Sequence, residues 1–193
     1  MENVHDKFQD LMNKEEWKKL ERDFIDLDHI FIIGNGGNMS IADHAAVDIS
    51  RLTNKNSICP GSGIVATSII SDNSFEVWFT KWVEQRLRFL NPKKVLILGL
   101  SCSVNGASSA SLVGALTLAA EKGCKCHMIC AQEKKEKVKE INFINQNVHY
   151  YHTSEVLSTM MFYQLIHVAG FECPSIGGKA KKRMEEIKKM EIR

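Results

Sequence analysis

His44 and Asp48 stand four residues apart in the stretch FIIGNGGNMSIADHAAVD, which runs over 31–48. Residues four apart share one face of a helix. An imidazole and a carboxylate so placed can bind one metal ion or act as a proton-transfer pair. The bland alternative is an exposed helix pair, common and worth a few tenths of a kcal/mol. Ala42, Ala45, Ala46 and Ile49 surround the two polar residues, which suggests a helix packed closely on several sides. A buried His–Asp pair needs partners, and this favours a site.

Directly upstream, GNGGNMS (34–40) follows an apolar run. Gly34, Gly36 and Gly37 can take backbone angles closed to other residues and let a ligand approach the main chain. The helix that follows offers free N–H groups and a partial positive charge to an anion. A second turn, GLSCSVNG (99–106), also follows an apolar run, and it brings the hydroxyls of Ser101 and Ser103 with Asn105 beside them. Either turn alone is adequately explained as a tight strand-to-helix connection. Two of them at one sheet edge make a phosphate cradle the better reading. Neither matches the dinucleotide fingerprint, since position 39 is Met, and neither carries the Lys-Ser/Thr of a P-loop. No nucleotide cofactor is expected.

Cys124, Cys126 and Cys130 lie near His127 in CKCHMIC, so a zinc site has to be weighed there. The stretch follows Gly123 and reads as a buried strand, in which alternate residues point to opposite faces. The strand is the preferred reading. The six cysteines are scattered, as reduced thiols in a cytosolic protein would be.

The elements that would position these groups alternate. Apolar positions in 3–25 fit one or two amphipathic helices. HIFIIG (29–34) reads as a strand and SIADHAAVDISRL (40–52) as the helix after the glycine turn. TNKNSICPGSG (53–63) reads as a loop, and GIVATSII (63–70) as a second strand. A helix over 74–90, a strand over 95–100 and a helix from Ala107 to about Lys122 follow. CHMICA (126–131) is expected as a fourth strand, NVHYYH (147–152) as a fifth, and SEVLSTMMFYQLIHVAG (154–170) as the last helix. Strands alternating with helices argue for an open, mostly parallel α/β sheet covered on both faces. Ligands of such sheets bind beyond the carboxyl ends of the strands, where both turns sit.

At 193 residues, 44% of them hydrophobic, one domain over 1–193 is expected. It divides into a helical segment (1–27), an α/β core (28–170) and a charged tail (171–193), whose charges read as a solvated face. With 25 basic and 23 acidic residues, the charge does not point to nucleic acid or an anionic membrane. No apolar run approaches a bilayer span, and the polar amphipathic start does not read as a signal peptide, so a cytoplasmic location is expected.

IFIIGNGGNMSIADHAAVDISRL, followed by VLILGLSCSVNGASSASLVGALTLAAEKGCK, resembles the SIS (sugar isomerase) domain family. It is most similar to the bacterial phosphoheptose isomerases, whose motifs run G-N-G-G-S-x-x-x-A-x-H-x-x-x-E and S-T-S-G-N-S. The likeness covers about residues 1–170. It implies a three-layer, flavodoxin-like α/β/α sandwich with a five-stranded parallel sheet and an extra N-terminal helix. It also implies a homotetramer with sites shared between subunits, and a place in carbohydrate metabolism such as lipopolysaccharide or capsule biosynthesis. The implied reaction converts sedoheptulose 7-phosphate to a glycero-manno-heptose 7-phosphate, often with zinc. By position, Asn35 and Asn38, beside Gly36 and Gly37, would contact sugar hydroxyls. Ser101, Cys102 and Ser103, with Asn105, would hold the phosphate, and Asp72 would approach the sugar. His44 and Asp48 fall on the metal-binding or acid–base positions.

The chain departs from that pattern. Asn38 stands where the family has Ser, Cys102 where it has Thr, Val104 where it has Gly, and Gly106 where it has Ser. Asp48 replaces a glutamate and is one methylene shorter. The family's last helix carries a Gln and a His eight residues apart. Here Glu155 and His167 are twelve apart, about 18 Å along a helix, too far for one metal. His152 and Glu155, three apart, are the better pair, and His167 reads as a core or interface histidine. The resemblance thus implies isomerisation through an enediol. Asp48 would act with Glu155 or His152 as base and acid. His44 and Asp48 would hold a zinc ion that polarises the carbonyl, or His44 would donate the proton without one. The rivals are another phosphosugar isomerase, such as one for a hexulose phosphate, a partner of the replication initiator, and a sugar-phosphate sensor without turnover.

Overall fold

The structure is a computed structural model and describes residues 2–102, 107–133, 138–175 and 177. Five strands form one sheet: β1 (His29–Gly34), β2 (Asn56–Ile58), β3 (Val95–Ser101), β4 (Lys125–Cys130) and β5 (Ile141–Asn145). The order is β2-β1-β3-β4-β5, and all four pairings are parallel. The chain winds outward one way from β1 and the other way from β3. The carboxyl ends of these two neighbours therefore form a switch point, where ligands of such sheets bind.

The helices are α1 (Val4–Met12), α2 (Glu15–Asp26), α3 (Gly37–Leu52), α4 (Gly63–Asp72), α5 (Trp78–Leu87), α6 (Ala107–Glu121) and α7 (Tyr151–Val168). Alternation along the strands sorts them into two layers. Ile30, Ile32, Leu96, Leu98 and Leu100 face α1, α2, α3 and α7. Phe31, Ile33, Val95 and Ile97 face α4, α5 and α6. Gly99 lets α6 close on β3, since a Cβ there would stand 3.0 Å from the Leu116 Cδ1. No helix of the described residues is long and apolar enough to cross a membrane.

Two strand expectations are corrected. GIVATSII (63–70) is the helix α4, not a strand. Its buried and half-buried residues, Val65, Ala66, Ile69 and Ile70, recur at helical spacing, while Ile64 is 80% exposed. The second strand lies instead in the stretch expected as a loop. It is only Asn56–Ile58, a three-residue edge strand registered with His29–Phe31, and it is too short and polar to show as an apolar run. The fifth strand is Ile141–Asn145, not 147–152. Asn147 turns the chain with φ of 55°, Tyr150 and Tyr151 are exposed, and α7 already starts at Tyr151. The glycine turn is also tighter than expected, because α3 begins at Gly37.

On β4 the alternation separates His127 from the cysteines. Cys124, Cys126 and Cys130 join the core under α5 and α6. His127 faces α2, where its Nε2 lies 2.8 Å from Asp23 Oδ2. The Asn142 Nδ2 donates to Glu16 O and to the His127 Nδ1, both at 2.8 Å. An Nδ1 that accepts leaves the proton on Nε2, so a neutral imidazole donates to Asp23. Burial lowers the His127 pKa, with the Asp23 carboxylate opposing. Burial would raise the Asp23 carboxyl, but the bond to His127 outweighs this and holds it below the usual range. This group pins α2 to the sheet.

Candidate functional site

The chain leaves β1 into α3 through a turn that glycine makes possible. Gly36 has φ of 59°, a left-handed conformation. A Cβ on Gly34 would stand 2.9 Å from the main-chain oxygen of Asn38, so strand and helix meet too closely for a side chain. The N-cap of α3 is Gly36, which has no side chain to cap it. The Met39 N–H is already bonded to the Gly36 carbonyl at 3.0 Å, which leaves the Gly37 and Asn38 N–H groups as those an α-helix start does not itself satisfy.

A cavity of about 210 Å³ opens at the rim of the sheet. The first turn supplies Asn35, Gly36, Gly37 and Asn38. The second supplies Ser101 and Cys102, with Leu100 and Leu112 below, and α7 adds Tyr151 and Glu155. The first turn is tied to the second by Asn38 Nδ2, which donates to Cys102 Sγ at 3.3 Å, and to α6 by Asn35 Nδ2, which donates to Ser111 Oγ at 3.3 Å. The Glu155 carboxylate lies against Gly37, where an added Cβ would overlap its Oε1. Gln146 holds that end of α7 in place. It is buried at 1% exposure, its Nε2 donates to Ser154 O at 3.1 Å and to Ser158 Oγ at 3.0 Å, and the Ser154 hydroxyl donates to its Oε1.

One turn further along α3 and α7 a second groove of about 200 Å³ begins. Ile41, Ala45, Phe162 and Ile166 make apolar walls, and Ser40, His44, Asp48, Thr159 and Tyr163 supply the polar groups. Asp48 is buried and fully engaged. Its Oδ1 accepts from Arg51 Nη2 at 2.7 Å, and its Oδ2 accepts from the Tyr163 hydroxyl at 2.9 Å and lies 3.2 Å from His44 Nε2. Burial would raise this carboxyl, but the Arg51 and Tyr163 hydrogen bonds outweigh it and hold it below the usual carboxylate range. Burial and the bond to Asp48 push the Tyr163 phenol up.

Of the residues expected at a site, Asn35, Gly36, Gly37, Asn38, Ser101, Cys102 and Glu155 come together around the first cavity. His44 and Asp48 meet in the second groove. Asp72 is exposed at the end of α4, and His152 is exposed and stacks on Tyr150; neither lines these cavities. His167 is exposed rather than in the core. Ser103 and Asn105 lie outside the described residues, as does most of the charged tail. Among the described residues, no three His, Cys, Asp or Glu side chains are grouped to hold a metal ion. Sequence reasoning missed Tyr163 and Arg51. A signal for the first existed: Glu155 and Tyr163 are eight apart, the spacing the resemblance carries on this helix.

No protein-family profile matches the chain, and no curated protein matches it by sequence. Solved structures do. The phosphoheptose isomerase of Neisseria gonorrhoeae superposes with a TM-score of 0.69 at 17% identity, over 86% of this chain and 90% of that one. A phosphoheptose isomerase from Francisella tularensis gives 0.68 at 11% identity, over the same shares. A Methanococcus jannaschii protein, whose structure inferred a 3-hexulose-6-phosphate isomerase function, gives 0.57 at 15% identity, over 88% of this chain and 90% of that one. The chain therefore shares the fold of phosphoheptose isomerases and related sugar isomerase domains.

Proposed function

We propose that the protein is a phosphosugar aldose–ketose isomerase, with sedoheptulose 7-phosphate as the first candidate substrate and a hexulose phosphate as the second. One observation carries this reading. Two backbone-rich turns at the switch point form one cavity, and α7 delivers the Glu155 carboxylate into it. That carboxylate, against Gly37, repels a phosphate from the α3 side. The phosphate is therefore assigned to the Ser101–Cys102 side, and Asn35 and Asn38 to the sugar hydroxyls. Glu155 takes the proton from the carbon beside the carbonyl, giving an enediolate; the hydroxyl proton passes to the former carbonyl oxygen, and Glu155 returns its proton to the former carbonyl carbon. The N–H groups at the start of α3 and the Asn38 amide hydrogen-bond the carbonyl oxygen as charge develops there.

The expected result is interconversion of sedoheptulose 7-phosphate and its aldose isomer, followed by NMR, with strong loss in Glu155→Gln. A panel of five- to seven-carbon phosphates that gives no turnover overturns the isomerase. A second reading, a sugar-phosphate sensor, is favoured by Asp48, whose two oxygens are both occupied. It predicts a phosphosugar-induced melting shift without turnover. We further propose a homo-oligomer, on the resemblance to the phosphoheptose isomerases. Light scattering tests it.

A further inference from the structure

The groove between α3 and α7 holds the His44–Asp48 pair, whose residue types invite a divalent cation. The donor set around it does not suit one. A zinc site takes at least three protein ligands, almost always thiolate, imidazole or carboxylate, at about 2.0–2.3 Å. Among the described residues, no three His, Cys, Asp or Glu side chains are so grouped. His44 Nε2 and Asp48 Oδ2, 3.2 Å apart, are the two donors of that kind in this groove. Glu155, the one carboxylate of α7, precedes Tyr163 by eight residues, about 12 Å along the axis.

The space around the pair is also taken. The Tyr163 hydroxyl lies 2.9 Å from Asp48 Oδ2 and 3.3 Å from His44 Nε2. An ion bonded to both residues would have to approach the same two atoms, so this oxygen stands in its way. A phenol that keeps its proton is neutral, and here it donates that proton to Asp48. On the other side, Arg51 Nη2 donates to Asp48 Oδ1 at 2.7 Å. The carboxylate and the guanidinium cancel in charge, and a divalent cation beside them would face a like charge. The Asp48 side chain is only 9% exposed, and a buried carboxylate without partners is costly, so these bonds are not idle.

We propose that Arg51 and Tyr163 together take the part that a divalent cation would play at His44 and Asp48. The guanidinium neutralises the buried carboxylate, and the phenol fills the space beside the two donors. Asp48 belongs to α3 and Tyr163 to α7, so their bond joins the two helices as a shared ion would. The cluster is a metal-free clamp. It holds whichever ligand the cavity at Glu155 takes, and its tests use no sugar.

The first test compares the intact protein with His44→Ala, a change at a side chain 66% exposed. Both are incubated with excess zinc, gel-filtered and assayed for metal by mass spectrometry. Zinc content is expected to differ by less than about 0.1 per chain, with melting temperatures that respond alike to zinc and to chelator. A parent that holds about one zinc per chain more than His44→Ala overturns the proposal. The second test is the double variant Arg51→Gln with Tyr163→His. An imidazole is shorter than a phenol by about the length of a Zn–N bond, roughly 2 Å, so an ion on it would stand near the present Tyr163 oxygen. That ion would meet two imidazoles and an unpaired carboxylate. The double variant is expected to gain about one zinc per chain and to melt roughly 5 °C higher at zinc a hundredfold above its dissociation constant. A cooperatively melting double variant with no gain over the parent refutes the parts given to Arg51 and Tyr163. The clamp has its own readout, which stands even if the double variant does not fold. Tyr163→Phe is expected to lower the melting temperature by about 3 °C or more, and by less than half as much in the Asp48→Asn background. An unchanged melting temperature, or an equal loss in both backgrounds, overturns the clamp.

Discussion

Replacing Gly37 by alanine separates the site from the fold. Gly37 opens α3, and its backbone is outside the left-handed region, so alanine fits the main chain. The added Cβ would overlap Glu155 Oε1 and stand 3.0 Å from Cδ. To regain ordinary contact, the oxygen has to retreat by more than about 1 Å, and displacements of that size cost roughly a hundredfold in rate. The Glu155 side chain is long and only half-buried, so it yields before the backbone does. Gly→Ala also reduces the entropy of the unfolded chain, worth about 0.4–1 kcal/mol where the conformation is compatible. For a chain of this size that is a rise of about 1–4 °C in melting temperature. The expected phenotype is a protein as stable as its parent, or more so, with kcat/KM for the phosphosugar down by about two orders of magnitude. Gly36→Ala is the control. It has open space around a Cβ but φ of +59° with ψ of −130°, so it loses about 1–3 kcal/mol of stability without touching Glu155. Calorimetric melting and NMR isomerisation assays on both variants decide the matter. Full activity in Gly37→Ala would show that the Glu155 carboxylate does not act from where it lies. A large fall in its melting temperature would show that α3 moved instead.

Other outcomes follow from the packing and the charges. Leu98→Ala, at a fully buried position in the middle of β3, should cost about 2–5 kcal/mol, read as a lower urea midpoint. Stability should fall as pH drops below about 6.5. His127 has a lowered pKa and is neutral in the folded chain, so the unfolded chain binds the extra proton first. One such site contributes at most about 1.4 kcal/mol per pH unit, and Asp23, also lowered, adds a further loss below about pH 4. Urea titrations at pH 8 to 4 should show this slope reduced in His127→Gln; an unchanged slope refutes the assignment. Among the cysteines, iodoacetamide at neutral pH should label Cys102 and the exposed Cys173 first. Burial pushes the Cys59 and Cys124 thiols up to about 11 and shields Cys126 and Cys130. A phosphosugar should protect Cys102 alone, as peptide mass spectrometry would show.

Much of the fold was legible because the long parallel strands carry it in apolar runs. HIFIIG and VLILGL are buried on both faces, and a run buried on both faces has no polar positions to blur it. The glycine and serine turns were legible for a related reason, since only certain residues permit such tight strand-to-helix passages. The edge was not legible. Asn56–Ile58 is a strand only because β1 offers it hydrogen bonds, and Ile141–Asn145 only because β4 does. GIVATSII, rich in β-branched residues, became a helix because a helical face could pack beside α5.

The site divides along the same line. Residue types and spacing put His44 and Asp48 on one helix face and Glu155 near the start of another, because i,i+4 geometry is local. Only the packing of α7 against α3 decided what those groups meet. It set Glu155 against Gly37, and it brought Tyr163, 115 residues from Asp48 along the chain, to the oxygen that was expected to act as a base. Whether a carboxylate is free or already bonded depends on neighbours remote in the chain, and local sequence does not specify them.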